Sequence, residues 1–218
     1  MSLTKTNKNI KSFHNKSQKN IKSHYFIHAI DNISNIYEIL SSGKIDINNN
    51  EEYIENCKKN KSWYCIPKIY CHYIFSDLKL NKNIIWNWGI YAEGIQYPII
   101  VINPSVLKSN NNIFICNELS HGECIDNIQN QISTLKELRK HIKIFIKNNN
   151  YDENSYINSH EILFDSISIN DIYGIIFPTD TENEYISEIK NQIKILNLNI
   201  KVIICNTEEK HFYKCISK

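Results

Sequence analysis

Short apolar runs separated by polar segments dominate the pattern of this chain. Six runs are short or lack the three- and four-residue spacing of a buried helical face, so they predict β-strands. These predicted strands are Tyr25–Ala29, Tyr97–Asn103, Ile113–Cys116, 161–165, 173–177 and Ile200–Cys205. Trp63–Phe75 is rich in aromatic and β-branched residues and predicts one or two more strands. Ile84–Glu93 fits either a strand or a loop.

The first predicted helix follows the strand Tyr25–Ala29. Asp31 is a suitable N-cap, because its carboxylate can accept hydrogen bonds from the first free amides of a helix. Gly43 marks the end, since glycine adopts the left-handed conformation most easily. The buried face of this helix is predicted to contain Ile33, Ile36, Ile39 and Leu40.

Two later segments, Ser120–Glu123 and Thr179–Glu182, have the form of a helix capping box. The second predicts a helix that ends near Leu196. The first predicts one long helix or two consecutive ones, with apolar positions Ile125, Ile128, Ile132, Leu135, Leu138 and Ile142. Polar loops are predicted at 46–62, with a short helix around Glu51–Lys58, and at Asn148–Asn158. Because strands and helices are mixed along 24–218, we predict a single α+β domain.

Charge is distributed unevenly along the 218 residues, although the net charge is only +2. Residues 1–23 contain six lysines and no acidic residue, and predict a disordered basic tail. This tail is either simply solvated or an arm for nucleic acid or an acidic partner. The remainder has 19 basic and 23 acidic residues, which does not favour binding of duplex DNA by the folded body.

The cysteine pattern favours reduced thiols. The chain has seven cysteines, an odd number, and no Cys-x-x-Cys pair. The sequence contains no apolar signal core and no apolar run long enough to span a membrane. We therefore predict an intracellular, cytoplasmic protein, in which Cys116, Cys124 and Cys205 are small core residues.

Glu161 is the strongest candidate for chemistry, because it stands at the head of the apolar run Ile162–Phe164 and a second strand follows closely. A strand-edge glutamate usually faces water or pairs with a lysine. A single carboxylate can also accept a hydrogen bond from a ribose 2′-hydroxyl and stabilise the positive charge that develops when a C1′–N-glycosidic bond breaks.

Two histidines are further candidates. His28 ends the first predicted strand and could donate to a sugar hydroxyl or orient a carboxamide, although His24 competes for this role. His121, with Glu118, could line a cleft at a helix N-terminus, where backbone amides favour phosphate. His28 also has an ordinary explanation as a surface or hydrogen-bonded core residue, whereas the capping box of Ser120 and Glu123 does not explain His121 or Glu118.

A group of aromatic residues fits core packing or stacking on nicotinamide, adenine or a nucleobase. It consists of Tyr64, Tyr70, Tyr73, Trp86, Trp88 and Tyr91. Cys71 and His72 are adjacent and point to opposite faces of a strand, which argues against a nucleophile and base pair. The sequence has no zinc-ligand spacing, Walker loop or Gly-x-Gly-x-x-Gly motif, so we expect no metal site.

Several segments together resemble the ADP-ribosyltransferase superfamily, and more narrowly the DarT-like toxins that modify DNA bases. His28 is followed by Asn35–Gly43, which is similar to the family's helix of the form Asn-apolar-x-x-Ile-Leu-x-x-Gly. Glu161–Phe164 resembles the family's late strand, and Tyr97–Val101 and Ser120–Gly122 also look like family segments. The family's arginine after the middle aromatic strand has no counterpart, since the single arginine is Arg139.

The resemblance implies an α+β fold with an ADP-ribosyltransferase-like split sheet and flanking helices, and NAD in a cleft between two small sheets. It implies that Glu161 is the catalytic glutamate, and that the NAD-binding residues are His28, Asn35, Tyr70 or Tyr73, and His121. The implied activity is glycosyl transfer of ADP-ribose from NAD to a nucleic-acid base or a protein side chain. Two alternatives remain open: a non-catalytic domain of this fold that binds a nucleotide or partner, and a hydrolase or nuclease that uses histidine and cysteine.

Overall fold

The structure is a computed structural model, and it describes residues 24–30, 32–46, 68–75, 90–91, 94–95, 97–110, 113–117, 132–150, 152, 160–206 and 213–216. The basic tail 1–23, the predicted helix around Glu51–Lys58 and the predicted capping box Ser120–Glu123 lie outside these residues. None of the described helices is long and apolar enough to cross a membrane.

The described residues form strands and helices mixed along the chain, which confirms the predicted α+β class. The strands are β1 His24–Ala29, β2 Lys44–Asp46, β3 Ile69–Phe75, β4 Ile90–Tyr91, β5 Gly94–Ile95, β6 Ile99–Ile102, β7 Phe114–Asn117, β8 His160–Phe164, β9 Ser166–Ser168, β10 Ile172–Pro178 and β11 Lys201–Cys205. The helices are α1 Ile33–Ser42, α2 Val106–Ser109, α3 Leu135–Asn149, α4 Asn183–Ile195 and α5 Tyr213–Ile216.

Seven strands form one sheet in the order β11-β10-β6-β1-β3-β8-β7. Its neighbouring strands are antiparallel, except for the parallel pair β10 and β11, which α4 connects. Two small ladders, β2 with β9 and β4 with β5, complete the described β-structure. The sheet is therefore mostly antiparallel.

Strand β3 joins two parts of this sheet, because its two ends pair with different neighbours. Its C-terminal residues His72–Phe75 pair with β1, and its N-terminal residues Ile69–Cys71 pair with β8. The sheet thus changes partners at Cys71 and His72. The finer prediction of an ADP-ribosyltransferase-like split sheet stays a prediction, since among the described residues hydrogen bonding is continuous from β11 to β7.

One face of the sheet packs against the large core, which receives side chains from α1, α2, α3 and α4. Its sheet residues include Phe26, Cys71, Ile162 and Phe164, and the rings of Phe26 and Phe164 meet edge to face at 5.3 Å. Alternate strand positions face one side, so these residues mark the large-core face. Burial of aliphatic side chains here is the main stabilising contribution.

The opposite face carries a small core. Here Ile27, Ile74, Ile99, Val101 and Ile176 pack with Cys205 and, from α5, with Cys215 and Ile216. We call this side of the sheet the small-core face. Within the described part of the chain, α5 is the helix that contributes to this core.

The apolar face and the end of helix α1 agree with the prediction, but its N-cap does not. Ile36, Ile39 and Leu40 are buried, and Ile33 packs against the core. Gly43 ends the helix with φ 76°, as predicted. The N-cap is Asn32, whose side chain accepts a hydrogen bond from the Ser34 amide at 2.9 Å, so the prediction of Asp31 as the cap is wrong. Asp31 itself is outside the described residues.

Helix α3 lies within the segment predicted to form one long or two consecutive helices, whereas the cap that opens helix α4 differs from the prediction. Helix α3 begins with a true capping box, in which Thr134 accepts from the Glu137 amide and Glu137 bonds back to the Thr134 backbone. Helix α4 begins after Glu182, which makes no side-chain cap bond, so the predicted capping box there is wrong. A cap requires particular backbone angles at the entry to the helix, which residue types alone do not fix.

One pair of cysteines contradicts the prediction of reduced thiols, whereas Cys71 is a free thiol. Cys205 at the end of β11 and Cys215 in α5 form a disulfide, with Cα atoms 5.5 Å apart. Cys205 is nevertheless buried among apolar side chains, as expected of a core residue. Sequence spacing could not reveal this pair, because the disulfide depends on α5 folding back onto the end of β11.

Candidate functional site

A row of polar side chains begins where β3 changes partners. Lys68, Tyr70 and His72 alternate along β3 with the buried Ile69 and Cys71. Because alternate strand residues face opposite sides, these three point away from the large core. Pairing of β3 with β8 brings Asp165, Leu163 and Glu161 opposite them on the same face. We call Lys68, Tyr70, His72, Glu161 and Asp165 the polar row.

One end of the polar row is an ion pair. Lys68 and Asp165 lie one step beyond the last paired residues, Ile69 and Phe164, and their side chains are in direct contact. Partial burial lowers the pKa of the Lys68 ammonium, because removal from water penalises its charge. The contact between Lys68 and Asp165 thus extends the pairing of the two strands by one residue beyond the last backbone pair.

The other end of the row contains Glu161 and His72. Glu161 is half-buried in β8, and His72 is 3% exposed in β3. They occupy the step beyond the paired residues Cys71 and Ile162. At this step β3 has changed partner, because His72 pairs with Ile27 of β1, while Glu161 pairs with Cys116 of β7.

The negative charge of Glu161 affects the pKa of the neighbouring thiol. Burial raises the pKa of Cys71 well above its usual range, and the negative charge of Glu161 raises it further. Cys71 is therefore held as a neutral thiol, which disfavours the alternative of a cysteine nucleophile at this position.

His28 lies on the other side of β3 from Glu161. The register of β1 and β3 ends at Ile27 and His72, and the His28 imidazole then contacts the strand through Nδ1, which is 2.8 Å from the Tyr70 carbonyl oxygen. If Nδ1 carries the proton, it donates to this carbonyl and leaves Nε2 as an acceptor. The contact fixes the ring beside the candidate aromatic Tyr70.

His28 and Glu161 start from opposite faces of the sheet. Continued register aligns His28 with Cys71 and Ile162, which face the large core, whereas Glu161 aligns with His72 on the small-core face. The two side chains are separated by β3, which corresponds to roughly 10 Å between strands. They do not form a contact pair, and a shared ligand would have to lie around the point where β3 changes partners.

The structure distinguishes the two candidate tyrosines. Tyr73 is 3% exposed in the large core, its hydroxyl lies 2.7 Å from His24 Nδ1, and its ring stacks on that imidazole. These contacts account for Tyr73 and His24 without a ligand. Tyr70 is half-buried on the same face as Glu161, so it is the stronger candidate for contact with a ligand.

Of the remaining predicted site residues, Asn35 lies away from the polar row, and the others lie outside the described residues. Asn35 is exposed in the first turn of α1, where its backbone N–H donates to the backbone carbonyl of Asn32. His121 and Glu118 lie outside the described residues, as do Tyr64, Trp86 and Trp88. Arg139 is exposed on α3. Among the described residues, no three His, Cys, Asp or Glu side chains group as metal ligands would.

His72, Lys68 and Asp165 are site residues that the sequence analysis missed. Their signal is the alternation of polar and apolar residues over Lys68–His72, which indicates a strand with one polar face. Aromatic residues in Trp63–Phe75 obscured this alternation. The partner strand β8 could not be identified without the fold, since it lies about 90 residues further along the chain.

A second buried carboxylate has a different environment. Asp171 accepts hydrogen bonds from Ser105 and Ser109, which start and end the turn of helix α2. Its backbone carbonyl also accepts from the Asn103 amide at 2.7 Å. Both oxygens of the carboxylate are occupied by the protein, so Asp171 holds α2 against the start of β10 and is not a candidate for ligand chemistry.

Comparison with known proteins yields only a distant likeness. No family model and no curated protein matches the chain. Among solved structures, it is similar to Thermosipho africanus DarTG in complex with ADP-ribose, with 16% identity and a TM-score of 0.39. The match covers 88% of this chain and 51% of that one, so the chain spans about half the length of the matched protein. This is a weak likeness of fold and identifies no residue of the site.

Proposed function

We propose that the chain is an NAD-dependent ADP-ribosyltransferase with Glu161 as its catalytic carboxylate. The observation that carries the proposal is the polar row, in which Glu161 and Tyr70 share one face of adjacent strands, while His28 on the opposite face is held 2.8 Å from the Tyr70 backbone carbonyl. The sequence resemblance assigns these same residues on β1, β3 and β8 to NAD. Support therefore comes from both the motif and the arrangement of its strands.

In the proposed reaction, Glu161 accepts a hydrogen bond from the 2′-hydroxyl of the nicotinamide ribose. The C1′–N bond breaks, and nicotinamide leaves with the bonding electron pair. The positive charge left on the ribose is stabilised by the carboxylate. A nucleophile of the acceptor then forms a bond to C1′ and loses its proton. Tyr70 would contact the nicotinamide ring, and His28 the adjacent ribose.

A second candidate function is binding of a nucleotide or protein partner without catalysis. The observation that favours it is the placement of His28 and Glu161 towards opposite faces of the sheet. If His28 and Glu161 do not contact the same bound ligand, they would not cleave NAD together. This alternative uses the same fold and differs only in chemistry.

Nicotinamide release from NAD tests the proposal. We expect wild type to release nicotinamide and Glu161→Gln to be slower by about a hundredfold or more, since Gln keeps the size but not the charge. Glu38→Gln on the exposed surface of α1 is the control and should match wild type. Intact NAD after long incubation with wild type, together with ligand binding by calorimetry, would support the non-catalytic alternative.

The acceptor needs a separate experiment. Wild type would be incubated with NAD labelled in its adenine and with cell extract, and the label followed into protein and nucleic-acid fractions. Transfer into one fraction by wild type, and not by Glu161→Gln, would assign the acceptor class. Label that remains only in free ADP-ribose would indicate hydrolysis of NAD instead of transfer.

A further inference from the structure

A bulge in β10 turns one tyrosine towards the small-core face. Ile172 and Ile175 both pack in the large core, and the register of β10 against β6 shifts between Ile172 and Gly174. Because a bulge adds one residue to its strand, simple alternation is broken here, and Tyr173 packs against the small core. Bulges often re-aim a side chain next to a functional site.

Lys201 reaches Tyr173 from the neighbouring strand β11, where it is paired with Gly174. A Cβ atom at position 174 would lie 2.9 Å from the Lys201 carbonyl oxygen and 3.3 Å from the Lys201 Cβ, so a larger residue would crowd the lysine. The Lys201 ammonium donates to Tyr173 Oη at 2.6 Å and lies 4.6 Å from the centre of its ring. Glycine in the bulge therefore leaves room for the lysine beside the phenol.

Tyr25 completes a group that we call the tyrosine–lysine cluster, consisting of Tyr25, Tyr173 and Lys201. The ring centres of the two tyrosines are 4.9 Å apart, and Tyr25 hydrogen bonds to the Tyr173 hydroxyl. The hydrogen bond from Lys201 is the main cause that lowers the pKa of Tyr173, against the effect of partial burial, and the bond from Tyr25 lowers it further. The Tyr173 O–H is therefore a good donor to a charged acceptor.

The cluster has more hydrogen-bond donors than acceptors for them. An ammonium has three N–H donors and no acceptor, and a phenol has one O–H donor. Lys201 uses one N–H on Tyr173, which leaves two N–H groups and the Tyr173 O–H. Within the part of the chain that the structure describes, the ion pairs are formed by Lys44 and Lys68, and Lys201 has no carboxylate at that distance. A ligand that fits here supplies acceptors and negative charge.

We propose that the tyrosine–lysine cluster binds the phosphate group of a small ligand. A phosphate group has about two negative charges and three strong acceptor oxygens, which match the three available donors. Lysine binds phosphate as a point charge. The cluster is built on β1, β10 and β11, whereas the polar row is built on β3 and β8, so the inference does not rest on the proposed transferase function.

Titration with inorganic phosphate at constant ionic strength, followed by amide NMR of the full chain, tests the site. Phosphate should shift the amide signals of Tyr173, Gly174 and Lys201 in wild type. Lys201→Met keeps the length of the side chain but not its charge, and should weaken phosphate binding by about tenfold or more. Lys190→Met, at an exposed position of α4, is the matched control and should bind phosphate as wild type does.

Tyr173→Phe tests the hydroxyl separately from the ring. It keeps the packing on Tyr25 and should weaken phosphate binding by roughly threefold to tenfold, whereas Tyr185→Phe on the surface of α4 should not. The difference in near-ultraviolet absorbance between wild type and Tyr173→Phe follows the ionisation of Tyr173. Bound phosphate should raise the pKa of this phenol, because a nearby negative charge disfavours the phenolate.

Phenyl phosphate distinguishes two sources of the phosphate group. Tighter binding of phenyl phosphate than of inorganic phosphate would indicate a phosphate ester whose apolar part contacts the tyrosine rings, and equal or weaker binding would indicate free phosphate. Both results support the site. The inference is overturned if neither compound shifts these amide signals in wild type, or if Lys201→Met and Lys190→Met bind phosphate equally well.

Discussion

The two faces of the central sheet differ in what covers them. The large-core face receives apolar side chains from α1, α2, α3 and α4, which pack on apolar residues of its strands. The small-core face has a smaller apolar cluster and also carries the polar row. Carboxylate and ammonium groups are costly to bury without partners, which accounts for the position of Glu161, Asp165 and Lys68 on the face with less apolar cover.

This difference separates residues that stabilise the fold from residues available for chemistry. Tyr73 and Tyr70 are three positions apart on β3 and so face opposite sides. Tyr73 is fixed in the large core, whereas Tyr70 lies on the face that carries Glu161. Residues of similar chemistry thus acquire different roles from strand alternation alone.

The largest expected effect comes from the large-core face. Phe164→Ala removes a fully buried ring that packs on Phe26, and should lower the free energy of unfolding by about 3–5 kcal/mol. Urea denaturation of the full chain measures this. Ile204→Ala, at a side chain that is 50% exposed on β11, is the control and should change stability by less than about 0.5 kcal/mol. If both substitutions lowered the free energy of unfolding equally, the predicted difference between a core position and a surface position would be wrong.

A smaller effect is expected on the small-core face. Cys215→Ser removes the disulfide that ties α5 to β11, and should lower the free energy of unfolding by about 2–3 kcal/mol. Stability of the wild type should fall on reduction, while the variant should be insensitive to the reductant. Alkylation of all seven cysteines in unreduced, denatured protein would contradict the pairing.

The smallest effect concerns the start of α3, at the margin of the large core, and it depends on pH. Hydrogen bonds from the Ser133 amide and hydroxyl and from Thr134 lower the pKa of Glu137. A lowered carboxyl pKa contributes stability above the unfolded value of about 4.3, and this is lost as pH falls through the folded value. Wild type should therefore exceed Glu137→Gln in stability at pH 7, with a difference that shrinks at pH 3. A constant difference in urea unfolding at both pH values would be inconsistent with this linkage.

Periodicity alone predicted much of the fold. Helix α1, the buried strand β6 and the unit from β10 to β11 were found because their apolar residues follow helical or strand spacing strongly. Short elements such as α2 and β9 were missed, because a single turn or three residues carry too little pattern. Helix caps were misplaced where several adjacent residues could act as caps.

The candidate site was less predictable, since it depends on contacts between distant segments. The sequence indicated Glu161 and His28 as candidates, but strand alternation, which directs them to opposite faces, becomes visible only once β1, β3 and β8 are aligned. The disulfide between Cys205 and Cys215 likewise required the fold of the chain's last residues.

The exchange of partners along β3 also has a consequence for protection of its amide hydrogens. Hydrogen bonds to β1 involve His72–Phe75, and those to β8 involve Ile69–Cys71. If one part of the sheet opens while the other stays closed, deuterium would enter one end of this seven-residue strand before the other. Peptides from β3 would therefore record separately how often each part of the sheet opens.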